Sequence, residues 1–191
     1  MAARSAVVRK AERGDLDKIA GLDLSYSTDR IYFVGRNDMA FWLEEQRVDP
    51  PLEKTYPRPQ LELGSGLLVA CLHGEIIGYG ELQYESWNDR ARIEHIYVSR
   101  PFRGRGVGRS LLDVLMVHAH RIPSARCLWL ETQNVNYPAV QFYLRMGFRL
   151  CGLDETLYQP ADPYLVADEV ALYFARDLQG EAPSRRRPCV Q

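Results

Sequence analysis

Two glutamates stand where a carboxylate is costly. Glu94 interrupts the run Ile93-Glu94-His95-Ile96-Tyr97-Val98, and Glu131 follows Cys127-Leu128-Trp129-Leu130. Burial disfavours the charged form of a carboxyl group, raising its pKa toward the range useful to a general base unless a cation holds it down. Strand alternation puts Glu94 on the face of Ile96 and Val98. The plainer alternative for each glutamate is a structural carboxylate paired with an arginine or a backbone N–H. Between the two lies Arg103-Gly104-Arg105-Gly106-Val107-Gly108-Arg109, which opens into a helical pattern. Unpaired N–H groups, a helix dipole and three arginines suit a phosphate or pyrophosphate. A tight connection that merely lacks side chains is the simpler account. Two common phosphate loops fail on spacing: no Gly-Lys pair of a P-loop is present, and Gly-x-Gly-x-Gly is not the Rossmann Gly-x-Gly-x-x-Gly.

The spacing that does fit is Arg-x-x-Gly-x-Gly at Arg103, Gly106 and Gly108. It is followed by Leu130-Glu131-Thr132-Gln133-Asn134-Val135-Asn136 and by Phe142-Tyr143-Leu144-Arg145-Met146-Gly147-Phe148. In this order the three motifs resemble the GNAT superfamily of acyl-CoA-dependent N-acyltransferases. Leu-Glu-Thr-Gln-Asn, Asp168-Glu169-Val170-Ala171-Leu172-Tyr173 and Thr55-Tyr56-Pro57 are similar to streptothricin acetyltransferases, over roughly residues 25 to 175.

The resemblance implies an acetyl-CoA co-substrate, no metal, and direct acetyl transfer to a primary amine, with streptothricin or a related antibiotic as acceptor. It implies that backbone groups of Ile96, Tyr97 and Val98 pair with the pantetheine arm as an added strand would. Main-chain N–H groups from Arg103 through Gly104, Arg105, Gly106, Val107, Gly108 and Arg109 would hold the pyrophosphate, and Asn136 would contact the CoA arm. Tyr143 matches the acid that reprotonates the leaving thiolate; without the resemblance it is a core aromatic on an amphipathic helix. Some members take the base from the position of Glu131 and others from the central strand, which favours Glu94 slightly because that strand opens onto the thioester. A polycationic acceptor calls for acidic surroundings, with Glu81, Glu85, Asp89, Asp154, Glu155 and Glu169 available by location. His95 departs from the relatives, which carry an acid there. The same chemistry on a polyamine, metabolite or protein N-terminus is the nearest alternative, and a non-catalytic CoA-binding regulatory module is a further one.

These residues need a strand–loop–helix–strand–helix frame, and the pattern supplies it. Ser5–Lys10 reads as a strand, and a helix is expected from Gly14 to about Leu24. Ile31–Val34 and Met39–Leu43 flank a four-residue turn, so a hairpin is expected where the superfamily normally places helices over its acceptor site. Asp49-Pro50-Pro51 to Pro59 reads as an extended surface connection. Gly66–Leu72 and Ile76–Tyr84 form a second hairpin leading into the central strand Arg92–Val98. The following helix carries Val107, Leu111, Leu112, Leu115, Met116 and Ala119 on one stripe. Cys127–Thr132 reads as a strand covered on both faces, Asn136-Tyr137-Pro138 as a helix start, Phe148–Leu150 and Asp168–Phe174 as returning strands. The fold class is α/β (α+β), a GNAT-like, mostly antiparallel sheet with splayed central strands and one parallel crossover.

Length and composition fit one soluble domain, residues 1–178, followed by a disordered tail at 179–191. Net charge is −1, so no overall field draws the chain to nucleic acid or to an anionic membrane. No apolar run approaches the roughly 20 residues of a membrane span, and the first residues lack a secretory core. Cysteines 71, 127, 151 and 189 show no Cys-x-x-Cys spacing, and the first three lie in apolar runs as small buried hydrophobes. A reducing cytoplasm and a monomer or homodimer are expected. His118 and His120, two apart on a helix, point away from each other and cannot share a metal.

Overall fold

A computed structural model describes residues 6–64, 66–159, 164, 166 and 169–178. Seven strands form one sheet in the order β1-β4-β5-β6-β7-β9-β8. Its members are β1 Val7–Lys10, β4 Leu67–Leu72, β5 Glu75–Glu85, β6 Arg90–Val98, β7 Cys127–Gln133, β8 Arg149–Asp154 and β9 Ala171–Asp177. Every neighbouring pair is antiparallel except β6 and β7, which are joined through helix α2, Val107–His120. Parallel neighbours need such a crossover, and α2 provides it. This is the mixed, mostly antiparallel sheet that the pattern predicts.

Helix α2 buries Val107, Leu111, Leu112, Leu115 and Ala119 against the sheet. It comes close because β5 is bare at Gly78 and Gly80 beneath it: a Cβ added at Gly80 would lie 3.0 Å from Leu115 Cδ1. The opposite face of the sheet carries a second cluster, in which Ile19 and Leu24 pack on Leu67, Val69, Ile76 and Tyr79. Helix α3, Tyr137–Arg145, follows β7, and its Asn136 cap accepts Ala139 N–H at 3.2 Å. Gly147, at φ +81°, ends that run and returns the chain to β8.

Four expectations are corrected. The helix predicted over 14–24 is a short turn at Arg13–Asp15 followed by α1, Leu16–Ala20, because Gly21 stops it. The Asp49–Pro59 segment is not all connection, since strand β3 runs Phe41–Lys54 and pairs with β2, Tyr26–Arg36. Pro50 and Pro51 fit because the ladder jumps from Arg30↔Arg47 to Thr28↔Leu52, leaving both prolines in the bulged stretch where no ladder donor is needed. Strand β7 is not sealed on both faces: Leu128 and Leu130 are fully buried under the helices, whereas Trp129, Glu131 and Gln133 are only half-buried. The hairpin itself is present. It docks on the main sheet through Asn134, whose Nδ2 donates to Tyr32 O at 2.8 Å while Tyr32 N–H donates to Asn134 O at 3.0 Å. Cys127 is buried as expected, Cys71 is half-buried and Cys151 is exposed, which corrects its reading as a core residue. No described helix is long and apolar enough to cross a membrane. Ser5, Asp168, Cys189 and the 179–191 tail lie outside the described residues.

Candidate active site

Strands β6 and β7 pair only at Arg90↔Cys127, Ala91↔Leu128 and Arg92↔Trp129. Beyond that point they splay, and a cleft of about 600 Å³ opens between them. Glu94 and Glu131 each stand two residues past the last paired rung, so the fork places both carboxylates at its mouth. On its far side β6 stays zipped to β5, with Ile96, Tyr97 and Val98 opposite Gly80, Tyr79 and Gly78. Its near edge at these residues has no strand partner among the described residues and can take an extended ligand as an added strand.

The cleft ends at the glycine-rich turn. Gly104 and Gly106 have φ of +74° and +82°, a region that disfavours side chains. Gly106 caps α2, and the first helical bond runs from Ser110 N to Gly106 O at 3.0 Å. The N–H groups of Val107, Gly108 and Arg109 therefore have no intrahelical acceptor and lie at the positive end of a 14-residue helix. Arg109 is exposed, and the Arg105 guanidinium sits 5.7 Å from the Phe102 ring. Arg103 has a different task. Its Nε donates to Val98 O at 2.8 Å, and its terminal nitrogens donate to Ser25 O at 2.7 Å and Leu24 O at 2.9 Å. Its side chain thus ties the end of β6 to the chain entering β2. An unpaired strand edge leading to a nest of free N–H groups fits a pantetheine arm and its diphosphate.

The carboxylates are not arranged as strand alternation predicts. The β5–β6 register jumps between Glu81↔His95 and Leu82↔Ile93, so Glu94 is the extra residue of a β-bulge. The bulge reverses the parity. Ala91, Ile93, Ile96 and Val98 face the cluster under α2, while Tyr97 joins the cluster on the other face. Glu94 sides with Arg92, whose Nη2 donates to Oε1 at 2.7 Å. The expectation that Glu94 shares a face with Ile96 and Val98 is therefore overturned. Arg92 Nη1 also lies 3.5 Å from Glu85 Oε1, so one guanidinium bridges two carboxylates.

Glu131 is in a drier place. Burial pushes its carboxyl pKa up, while the hydroxyl of Tyr158, which donates to Oε1, and the charge of Arg92 pull it back. Tyr143 reaches the same cleft from α3, with its phenol held strongly in the protonated form by burial, then by Tyr97 and Glu131. Asn136 also lines the cleft, but both ends of its amide are engaged, Oδ1 as the helix cap and Nδ2 toward Tyr56 Oη at 3.3 Å. Tyr56 in turn donates to Gln133 Oε1 at 3.1 Å. His95 is pushed toward the neutral form by burial, against the opposing pull of Glu81.

The fold thus brings Glu94, Glu131, Tyr143, Asn136, the β6 edge and most of the Arg103–Arg109 turn around one cavity; Arg105 is the member outside its lining. Most of the acids proposed for a cationic acceptor are already matched. Glu85 pairs with Arg90 at 2.8 Å, Glu155 with Arg36 at 3.1 Å, and Asp154 accepts from Thr156 at 2.7 Å. Asp89 accepts from Tyr84, and Glu169 is buried against Lys54. Glu81 keeps only a 3.9 Å approach to His95. Sequence reasoning missed Tyr158 and Arg92. Arg92 had a signal, two residues before Glu94 on one strand; Tyr158 had none, because a 27-residue separation hides its contact.

An open fork between parallel strands, a glycine-rich helix start and a half-buried glutamate hydrogen-bonded to a phenol make an arrangement suited to acyl transfer. The family model of the GNAT acetyltransferases matches residues 35–148, and the chain belongs to that family. It is 41% identical over 165 residues to a streptothricin acetyltransferase of Streptomyces lavendulae, covering 79% of this chain and 85% of that protein. A crystal structure of a nourseothricin acetyltransferase superposes with a TM-score of 0.82 at 39% identity, over 92% of this chain and 99% of that one. A Bacillus anthracis protein described as a streptothricin acetyltransferase, solved in complex with acetyl coenzyme A, gives a TM-score of 0.75 at 29% identity, over 91% and 99%.

Proposed function

We propose that this enzyme acetylates a primary amine of streptothricin or a closely related antibiotic, with Glu131 as general base and Tyr143 as general acid. Acetyl-CoA supplies an acetyl group activated as a thioester. The observation that carries the reading is the fork beyond Arg92 and Trp129, whose single cleft gathers a carboxylate, a phenol and a free strand edge. The identity to streptothricin acetyltransferases supports the acceptor class.

An alkyl ammonium with a pKa near 10.4 costs about 4–5 kcal/mol to deprotonate at neutral pH. A partly buried carboxylate meets part of that demand, because its raised pKa makes it a better proton acceptor while a fraction stays ionised. Glu131 suits the role better than Glu94, whose charge is already matched by Arg92. Once the ammonium proton has moved to Glu131, the neutral amine bonds to the thioester carbonyl carbon, and the C–S bond breaks with its electron pair on sulfur. Tyr143 protonates that sulfur, and the second nitrogen proton, lost as the amide forms, restores the phenol through solvent. Burial of the Tyr143 phenol keeps that proton in place until thiolate forms. Backbone groups of Ile96, Tyr97 and Val98 orient the pantetheine, and the N–H groups of the Arg103–Arg109 turn hold the pyrophosphate.

Incubating purified protein with acetyl-CoA and a panel of amines, read by mass, tests this. A gain of one acetyl group on streptothricin is expected, and transfer only to peptides or polyamines would overturn the acceptor. Glu131→Gln is expected to remove the acidic limb of the kcat/KM profile, which should lie above the ordinary carboxylate pKa of about 4.3. If Glu94→Gln alone removes that limb, the base is Glu94.

A further inference from the structure

Glu131 presents two unequal oxygens. Oε1 accepts the Tyr158 hydroxyl, whereas Oε2 takes no hydrogen bond from the described residues and belongs to a side chain that lines the cleft. Tyr158 is not on a loose tether. It ends a turn after β8 in which Thr156 N–H and Thr156 Oγ1 both donate to Asp154 Oδ1 at 2.7 Å, while Asp154 Oδ2 accepts from Tyr173 of β9 at 3.4 Å. Glu155 of the same turn is paired with Arg36 of the β2–β3 hairpin. The turn is thus fixed to the sheet on one side and to the hairpin on the other, with the phenol aimed at Glu131.

We propose that Tyr158 is a positioning residue for Glu131, occupying Oε1 so that only Oε2 can take the proton from the acceptor ammonium. The inference rests on Glu131 being the base. In the transfer step the N–H bond breaks, its electron pair stays on nitrogen, and the proton moves to Oε2; Tyr158 keeps its own proton throughout. A carboxylate with one oxygen pinned cannot rotate away from the incoming amine, and a donor to the charged form keeps part of the population ionised despite burial. Other groups also act on Glu131. Arg92, Glu94 and Tyr97 face it from β6, Tyr143 from α3, Tyr173 from β9, and Glu169 from the segment before β9. Of these, Arg92 favours the ionised form, and Glu94 and Glu169 oppose it.

Tyr158→Phe keeps the ring and removes the donor. A hydrogen bond to a charged group contributes about 1.5 kcal/mol or more, so the acidic limb of kcat/KM should move up by about one pH unit. The plateau of kcat should fall about tenfold while the affinity for coenzyme A measured by calorimetry is unchanged. In the absence of any substrate, the labelled Glu131 carboxyl carbon should titrate about one unit higher by NMR in the variant. An unmoved carboxyl titration would overturn the positioning role. Failure of the base assignment looks different: Glu131→Gln would then keep its acidic limb while the carboxyl titration still responds to Tyr158→Phe. If Tyr158→Phe does not fold, the ring-labelled Tyr158 phenol reports the same bond from the donor side. It should titrate lower in Glu131→Gln than in the wild type, and no change there would equally sink the proposal.

Discussion

Removing the ammonium of Lys54 should be among the most damaging single changes outside the cleft. Lys54 closes strand β3 and Glu169 precedes β9; their side chains are 3% and 0% exposed. Lys54 Nζ donates to Glu169 Oε1, which also accepts Val166 N–H at 2.9 Å, and Oε2 has no donor among the described residues. Deleting one partner of such a pair strands a buried charge and costs about 3–5 kcal/mol. At roughly 2–4 °C per kcal/mol for a chain of this size, Lys54→Met should lower Tm by about 6–20 °C. Lys54→Met/Glu169→Leu should recover much of the loss, because the cost lies in the unpaired charge rather than in the missing bridge. Activity should follow stability, because Lys54 lies 5.7 Å from the ring of Tyr56, which lines the cleft. Thermal unfolding of both variants followed by circular dichroism gives the loss and the recovery. A loss below about 1 kcal/mol for the single variant, or a double variant no better than the single, would mean that no uncompensated buried charge is left when the ammonium is removed.

Gly106→Ala forces a side chain into φ +82° at a cost of about 1–2 kcal/mol, although no atom lies within 4 Å of the new Cβ. Coenzyme A affinity measured by calorimetry should fall about tenfold with little change in the rest of the fold. Arg103→Met loses three donors to backbone carbonyls and should destabilise the fold by about 2–3 kcal/mol in a denaturant titration. Arg109→Ala, by contrast, should leave stability unchanged and weaken coenzyme A binding, with a smaller salt dependence than in the wild type. Glu131→Gln should melt higher than the wild type at pH 8 and equally at pH 4. The folded carboxyl pKa is raised, so its ionisation destabilises the fold above the unfolded value of about 4.3 and not below it. Equal melting at both pH values would contradict the burial of Glu131.

Local chemistry was legible where neighbours in sequence decide it. The 3.6-residue stripe of Leu111, Leu112 and Leu115 fixed the inner face of α2, and the glycine spacing at 104, 106 and 108 fixed the turn before it. Expected boundaries failed where competition was long-range. The strand through Pro50 and Pro51 persists because a bulge absorbs both prolines, which no local rule reveals. Strand alternation around Glu94 failed for the same kind of reason, since the extra residue is defined only by its register against β5.

By itself the sequence determined the order of elements, the glycine-rich, arginine-flanked character of the Arg103–Arg109 turn and the identities of the polar groups placed in apolar runs. Each of these follows from residue type and spacing within one element. Only the tertiary structure decided how those groups meet: that β6 and β7 part after three rungs, that Arg92 matches Glu94, and that Tyr158 reaches Glu131. Those are consequences of register and of contacts between distant segments, and the energy that selects them is spread across the whole sheet.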